Sequence, residues 1–400
     1  MALNDTPAAN RTHISFFGKR NAGKSSLLNA VTNQEISIVS NIKGTTTDPV
    51  QKTMELLPIG PVMLIDTPGL DDEGILGELR IKKARQILNK TDIAIIVIDA
   101  GEQNASYTLE TQLISIIKEK NIPYMVVFNK CDLNNTPTSV DDILLQNSVC
   151  VSSVTKTGIE EFKNKLGTVA KNTFAIRPIV SDIIKSGDTV VMVTPIDSAA
   201  PKGRLILPQQ LVLRDIIDSD ATAIVVKENN LGNALSKLSA PPSLVITDSQ
   251  VFDVVDKITP KNIPLTSFSI IMARFKGYLE TAVKGINAID SLKDGDTILI
   301  SEGCTHHRQC GDIGSIKIPA WLRKYTGKNL NIQTTSGVDF PENLSEYAMI
   351  IHCGGCMLNE REVLYRMKCA NDAGIPFTNY GIAIAKMKGI LNRSIEIFNL

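Results

Sequence analysis

The sequence has no excess of either charge: 42 basic residues face 42 acidic ones over 400 positions. Nothing in that balance points to nucleic acid or an anionic membrane as a partner. Although 43% of the residues are apolar, no apolar run reaches the roughly eighteen residues that a transmembrane helix needs. The first residues, MALNDTPAANRTH, contain no basic segment followed by an apolar core, so no secretory signal is expected and the chain is read as cytoplasmic. Cysteine is scarce. Seven residues, unevenly placed, are too few for a disulfide scaffold. Cys304, Cys310, Cys353, Cys356 and Cys369 fall in the last quarter, together with His306, His307 and His352. In a cytosolic chain that clustering favours metal or redox chemistry over disulfides. The length itself predicts roughly two to four domains with ample core.

What is present begins with a phosphate loop. In THISFFGKRNAGKSSLLNAV, Gly18 is followed by Gly23, Lys24 and Ser25, which fits G-x-x-x-x-G-K-[ST] between an apolar strand and the first turns of a helix. Across Gly18, Asn21, Ala22, Gly23, Lys24, Ser25 and Ser26 the backbone N–H groups can approach phosphates, while Lys24 adds charge and the Ser25 hydroxyl reaches magnesium. Further along, GTTTD offers Thr45 and Thr46 to a loop that can sense the third phosphate, with Thr46 a second magnesium ligand. VMLIDTPGL is a buried-type strand ending at Asp66, placed to hold magnesium through water, and it runs into a Pro68–Gly69 turn. MVVFNKCD ends in Asn129, Lys130 and Asp132; a carboxylate there accepts both donors on the guanine edge, which adenine cannot match. CVSSVTKTG places Ser152 and Ser153 on a loop beside the base. GTP and GDP with magnesium are therefore the expected ligands, and Lys24, Thr46, Asp66 and Gly69 the candidate catalytic positions.

Apolar strands near residues 12–18, 62–66, 93–99, 123–129 and 148–152 alternate with helical patterns such as ASYTLETQLISIIKEK. That alternation predicts a mainly parallel α/β sheet covered on both faces, with its binding loops at the carboxyl ends of the strands. The segments in this order resemble the Ras-like GTPase family over about residues 12–170. Two positions depart from that pattern. Leu70 stands where the family places a water-orienting glutamine, so hydrolysis is expected to be slow. Asn21 resembles the asparagine of potassium-activated bacterial GTPases similar to the tRNA-modifying GTPases, where potassium supplies the charge of an arginine finger; an ordinary loop residue is the alternative. Cys131 is expected to be inert.

The middle of the chain is punctuated by Pro178, Gly187, Pro195, Pro201 and Pro208, which predicts a boundary near 175–185. Helical QQLVLRDIIDSD and NLGNALSKL alternate with strand-like TAIVVK and SLVITD. The result is a small α/β unit without recognisable catalytic residues. Lys202 and Arg204 could meet phosphate, or simply lie in a solvated loop. A small sheet with exposed edges suits assembly, so a homodimer or higher oligomer is expected.

After the helical pattern RFKGYLETAVKGINAIDSL, the strand TILI runs into Glu302, Cys304, His306 and His307, and the strand in YAMIIHC runs into His352, Cys353 and Cys356. In a parallel sheet these ligand groups share one edge, with room between them for a helix and a return strand. Three thiolates suit an iron–sulfur cluster or zinc, and the glycines of CGGC let N–H groups point at sulfur. Cys310 and Cys369 lie off the pattern. A GTPase domain, a middle unit without chemistry, and C-x-H followed by H-C-x-x-C together resemble the HydF family of FeFe-hydrogenase maturation GTPases over essentially the whole chain. The resemblance implies a 4Fe–4S cluster on Cys304, Cys353 and Cys356. His306, His307 and His352 would then be candidates for an exchangeable fourth ligand. It also implies carriage of a transient two-iron precursor, received from two radical-SAM maturases and passed to the apo FeFe-hydrogenase. The expected layout is a GTPase domain over 1–175, a dimerisation domain over 176–272 and a cluster-binding domain over 273–400. The competing readings are a GTPase-coupled redox or RNA-modifying enzyme, and a signalling GTPase with a structural zinc domain.

Overall fold

A computed structural model of the chain describes residues 8–33, 50–69, 86–101, 107–133, 142–173, 177–195, 205–303, 312–337 and 339–400. The chain divides into two compact units, Met1–Ala175 and Ile176–Leu400. Thr45, Thr46, Leu70, Lys202, Arg204, Cys304, His306, His307 and Cys310 lie outside the described residues. Among the described residues no helix is long and apolar enough to cross a membrane.

In the first unit the period-2 alternation of a strand with both faces buried sorts side chains between two cores. Ile93, Ile95 and Val97 join one, with Leu27, Leu28, Phe162 and Leu166 from the helices Lys24–Thr32 and Ile159–Thr173. Ala94, Ile96 and Ile98 join the other, with Leu113, Ile114 and Ile117 of the helix Thr108–Glu119. The strands are β1 (Thr12–Phe17), β2 (Val50–Leu56), β3 (Gly60–Asp66), β4 (Ile93–Asp99), β5 (Tyr124–Asn129) and β6 (Ser148–Cys150). Their order is β2-β3-β1-β4-β5-β6, parallel except for the β2–β3 pair. Five of them fall where the apolar runs predict. β2 does not announce itself, because as an exposed edge strand it alternates buried and open positions and never forms an apolar run.

The second unit holds two parallel four-stranded sheets. One has the order β10-β9-β7-β8, from β7 (Thr189–Val193), β8 (Thr222–Val226), β9 (Leu244–Thr247) and β10 (Leu265–Ser267). The other has the order β12-β11-β13-β14, from β11 (Thr297–Ser301), β12 (Asn331–Thr335), β13 (Met349–His352) and β14 (Phe377–Asn379). A single cluster of buried side chains runs through both sheets, taking Val191, Val193 and Val245 from the first and Ile298, Ile300 and Ile350 from the second. Between β11 and β13 the chain makes the helix Ile318–Thr326 and the return strand β12, as the intervening length allows.

The pattern RFKGYLETAVKGINAIDSL reads as one helix but is split: its first two residues end the helix Phe268–Phe275, and a second helix, Leu279–Ile286, runs into the 3-10 turn Asn287–Ser291. Gly277 adopts φ +78°, and the Arg177 guanidinium occupies the space that a Cβ there would need. A left-handed residue cannot continue a right-handed helix, so the chain turns through Lys276, Gly277 and Tyr278.

The helix Leu279–Ile286 packs against β14 so closely that a Cβ on Gly285 would run into the backbone of Phe377. Gly285→Ala should destabilise the second unit by about 1–3 kcal/mol, the usual cost of overpacking. Urea unfolding checks this, and the nucleotide affinity of the first unit should not change.

Candidate functional site

The carboxyl ends of β1, β3 and β5 carry the nucleotide motifs. The loop after β1 leads into the helix Lys24–Thr32, whose first-turn N–H groups are available to an anion because Gly23 supplies no side-chain cap. Lys24 is buried, and its Nζ donates to the carbonyl oxygens of Gly18 at 2.9 Å and Lys19 at 2.7 Å. Ser25 Oγ donates to Asp66 Oδ2 at 2.5 Å, so the two expected magnesium-side groups meet. Thr67 Oγ1 donates to Phe16 O at 2.6 Å, fixing the start of the turn after β3. Gly69 comes so near the phosphate loop that a Cβ would lie 2.9 Å from Arg20 Cα. Asn21 is exposed at the loop tip with φ +59°, and Ser26 is half-buried in the first helical turn.

Asn129 ties the base side to the phosphate side. Its Nδ2 donates to Ala22 O at 3.1 Å and Gly23 O at 3.4 Å, and its Oδ1 accepts from Ser153 N at 3.1 Å and Ser153 Oγ at 2.9 Å. Lys130, at φ +66°, is held by Asp99 Oδ2 at 2.5 Å. Asp132 stands exposed in the short turn Cys131–Leu133. Ser152 Oγ accepts from Thr155 N at 3.1 Å and steadies the base loop. Asp99 and Thr67 were not singled out from the sequence; Asp99 at the end of an apolar strand was the available signal.

In the second unit Ser301 and His352 are register partners on parallel strands, so Gly303 and Cys353 leave adjacent strands side by side. Gly303 N donates to Cys353 Sγ at 3.0 Å and Gly355 N does so at 3.3 Å. The residue before Cys304 thus touches the sulfur of Cys353. Burial pushes the Cys353 thiol up, with those two N–H groups pulling the other way. Burial also pushes Cys356 up, against the nearby Lys276 ammonium. Soft sulfur receiving backbone N–H donors, at an edge where a third cysteine follows directly, fits a thiolate-bound metal or cluster. Among the described residues alone, no three His, Cys, Asp or Glu side chains group closely enough to hold a metal ion.

His352 lies away from that role. It is fully buried, its Nδ1 bonds to Cys353 O at 2.7 Å, and its Nε2 faces Arg366 Nη1 at 3.4 Å. A carbonyl can only accept and a guanidinium can only donate, so the ring is the neutral Nδ1–H tautomer with both nitrogens engaged. Burial and the Arg366 charge push its pKa down to about 3. Arg366, fully buried, also gives Nε to Glu362 Oε1 at 3.0 Å, Nη1 to Ser301 Oγ at 3.1 Å and Nη2 to Gly337 O at 2.6 Å. Lys276 donates to Gly355 O and, at 2.8 Å, to Leu358 O. Burial pushes its pKa down to about 8 despite Cys356, Cys353 and Glu360 nearby. Arg366 and Lys276 escaped the sequence reading; the glycine inside a helical pattern at FKGY was the signal for the second.

Residues 280–397 match the model described as hydrogen maturase F tetramerization domain, and 179–277 the hydrogen maturase F dimerization domain. These two cover more than half of the chain. Residues 13–130 match the 50S ribosome-binding GTPase model. The chain is similar to the GTPase Der of Mycoplasmopsis pulmonis, 39% identical over 130 residues, 32% of this chain and 29% of that protein. It is also similar to the tRNA modification GTPase MnmE of Xanthomonas euvesicatoria pv. vesicatoria, 33% identical over 159 residues, 40% of this chain and 34% of that protein. The chain thus spans about a third of the length of these curated relatives. Among solved structures, the G domain of the T. maritima FeoB iron transporter is 27% identical, with a TM-score of 0.30, covering 40% of this chain and 99% of that one.

Asn129→Ala removes four hydrogen bonds that join Ala22, Gly23 and Ser153, and it leaves buried groups unsatisfied. Guanine-nucleotide affinity should fall about ten- to a hundredfold, as read by titration with a fluorescent GDP analogue.

Proposed function

Because the chain belongs to the hydrogen maturase F family, we propose that it is a GTP-hydrolysing scaffold or carrier in FeFe-hydrogenase maturation. The observation that carries this reading is the pairing of two loop sites. A phosphate loop is tied to a base-reading loop through Asn129 in one unit. In the other, a cysteine turn leaves the same sheet edge as Gly303, which directly precedes Cys304.

In the first unit Lys24 and the loop N–H groups bind the phosphates, and Ser25, Thr46 and Asp66 hold magnesium. Gly69 contributes its N–H beside the third phosphate, and Asp132 reads the guanine edge, with Ser152 and Ser153 closing over the base. Turnover is slow because Leu70 cannot orient water, and potassium at Asn21 speeds it. In the second unit Cys304, Cys353 and Cys356 hold a 4Fe–4S cluster, and the exchangeable outer position belongs to His306 or His307. His352 is withdrawn from that position, since both of its ring nitrogens are engaged within the protein. The cluster supplies redox-active iron with one replaceable outer ligand. The cargo is a two-iron precursor from two radical-SAM maturases, delivered to the apo FeFe-hydrogenase in the cytoplasm. The matched dimerization and tetramerization models support a homo-oligomer.

Metal and sulfide analysis of the anaerobically purified protein, with electron paramagnetic resonance after reduction, tests the reading. Iron and acid-labile sulfide in equal amounts are expected, and zinc without sulfide overturns the cluster assignment. In the same preparation, GTP turnover should fall several-fold when sodium replaces potassium at constant ionic strength. An unchanged rate removes potassium from Asn21.

A further inference from the structure

Lys276 is an unusual residue to find in a core. Its side chain is buried, and among the described residues it makes no ion pair; its hydrogen bonds go to Gly355 O and Leu358 O, the carbonyls that flank Cys356 on either side. The turn at Gly277 brings it there by ending the helix Phe268–Phe275 one residue earlier. Glu360, the nearby carboxylate, is engaged by Arg177 at 2.9 Å. A buried cation without an anion is unfavourable unless something of opposite charge occupies the space beside it. The groups beside it that could carry that charge are Cys356 and Cys353. The first unit offers an internal precedent: Lys24 also donates to two carbonyls of its own loop, Gly18 O and Lys19 O, and that loop is built for an anion.

Resting on the reading of Cys304, Cys353 and Cys356 as thiolate ligands, we infer that Lys276 is a positioning residue: a fixed cation that clamps both sides of the Cys356 turn and balances the negative charge of a thiolate-bound cluster. Three thiolates leave a 4Fe–4S cluster with net negative charge, and one-electron reduction adds to it. A cation held close by stabilises the reduced form more than the oxidised one. Removing the charge therefore moves the potential to more negative values, whereas a residue that only packs the turn leaves it where it was.

The test is a redox titration of the full-length protein, followed by electron paramagnetic resonance, with iron and sulfide measured in each sample. Lys276→Met keeps the stem and deletes the charge. It should shift the reduction equilibrium about tenfold against the reduced cluster, about 59 mV for one electron. Lys276→Arg should keep most of the wild-type potential. A Met variant with full iron and an unchanged potential overturns the proposal. If the Met variant carries no iron, the Arg variant decides. Iron retained at a near-wild-type potential supports charge balance, and equal iron loss reduces Lys276 to a packing strut and overturns it. Absence of a cluster from the wild type itself instead defeats the underlying thiolate reading, so the two failures are distinguishable.

Discussion

The guanidinium of Arg366 sits fully buried with donors running to Glu362, Ser301, His352 and Gly337. A buried charge is tolerated only when its surroundings satisfy it, and removing one partner leaves it uncompensated. The consequence is geometric. Ser301 ends β11, His352 ends β13, Gly337 follows β12 and Glu362 opens the helix Glu360–Asp372. One planar group thus holds together the elements from which the cysteine loops depart. It also keeps both ring nitrogens of His352 engaged within the protein. The cation–π contact with Phe340, at 5.3 Å, closes the remaining side of the guanidinium.

The two units solve one electrostatic problem by the same means. Parallel strands send their loops off a common edge, where backbone N–H groups and the side chains that end the strands can converge. In the second unit two such groups donate to the Cys353 sulfur. Each loop is braced by a lysine that spends hydrogen bonds on the loop's own carbonyls. Side-chain chemistry is added last, on a backbone already arranged for negative charge.

Much of this was legible in the chain itself. Spacing around Gly23, Lys24 and Ser25 locates the phosphate loop, because backbone approach demands glycine and the motif tolerates little change in length. The strands ending at Asp66, Asn129 and His352 are apolar on both faces and so read clearly. What stayed hidden depends on tertiary neighbours. β2 is an edge strand without an apolar run. Lys276 looks like an ordinary basic residue on an amphipathic helix until Gly277 breaks that helix, and the Arg177 guanidinium packed against Gly277 comes from a residue far away in the chain. His352 reads from the sequence as a ligand candidate. Its sequence neighbours are cysteines, but its ring answers to Arg366, fourteen residues further along.

Among the described residues, one cluster of buried side chains spans both sheets of the second unit. Val245 and Ile298 belong to one close-packed interior, and such interiors transmit displacement rather than absorb it. The region matched as a dimerization domain and the strand ends that present the cysteines therefore form one elastic body. A load applied to the first sheet is therefore felt at the carboxyl ends of β11 and β13.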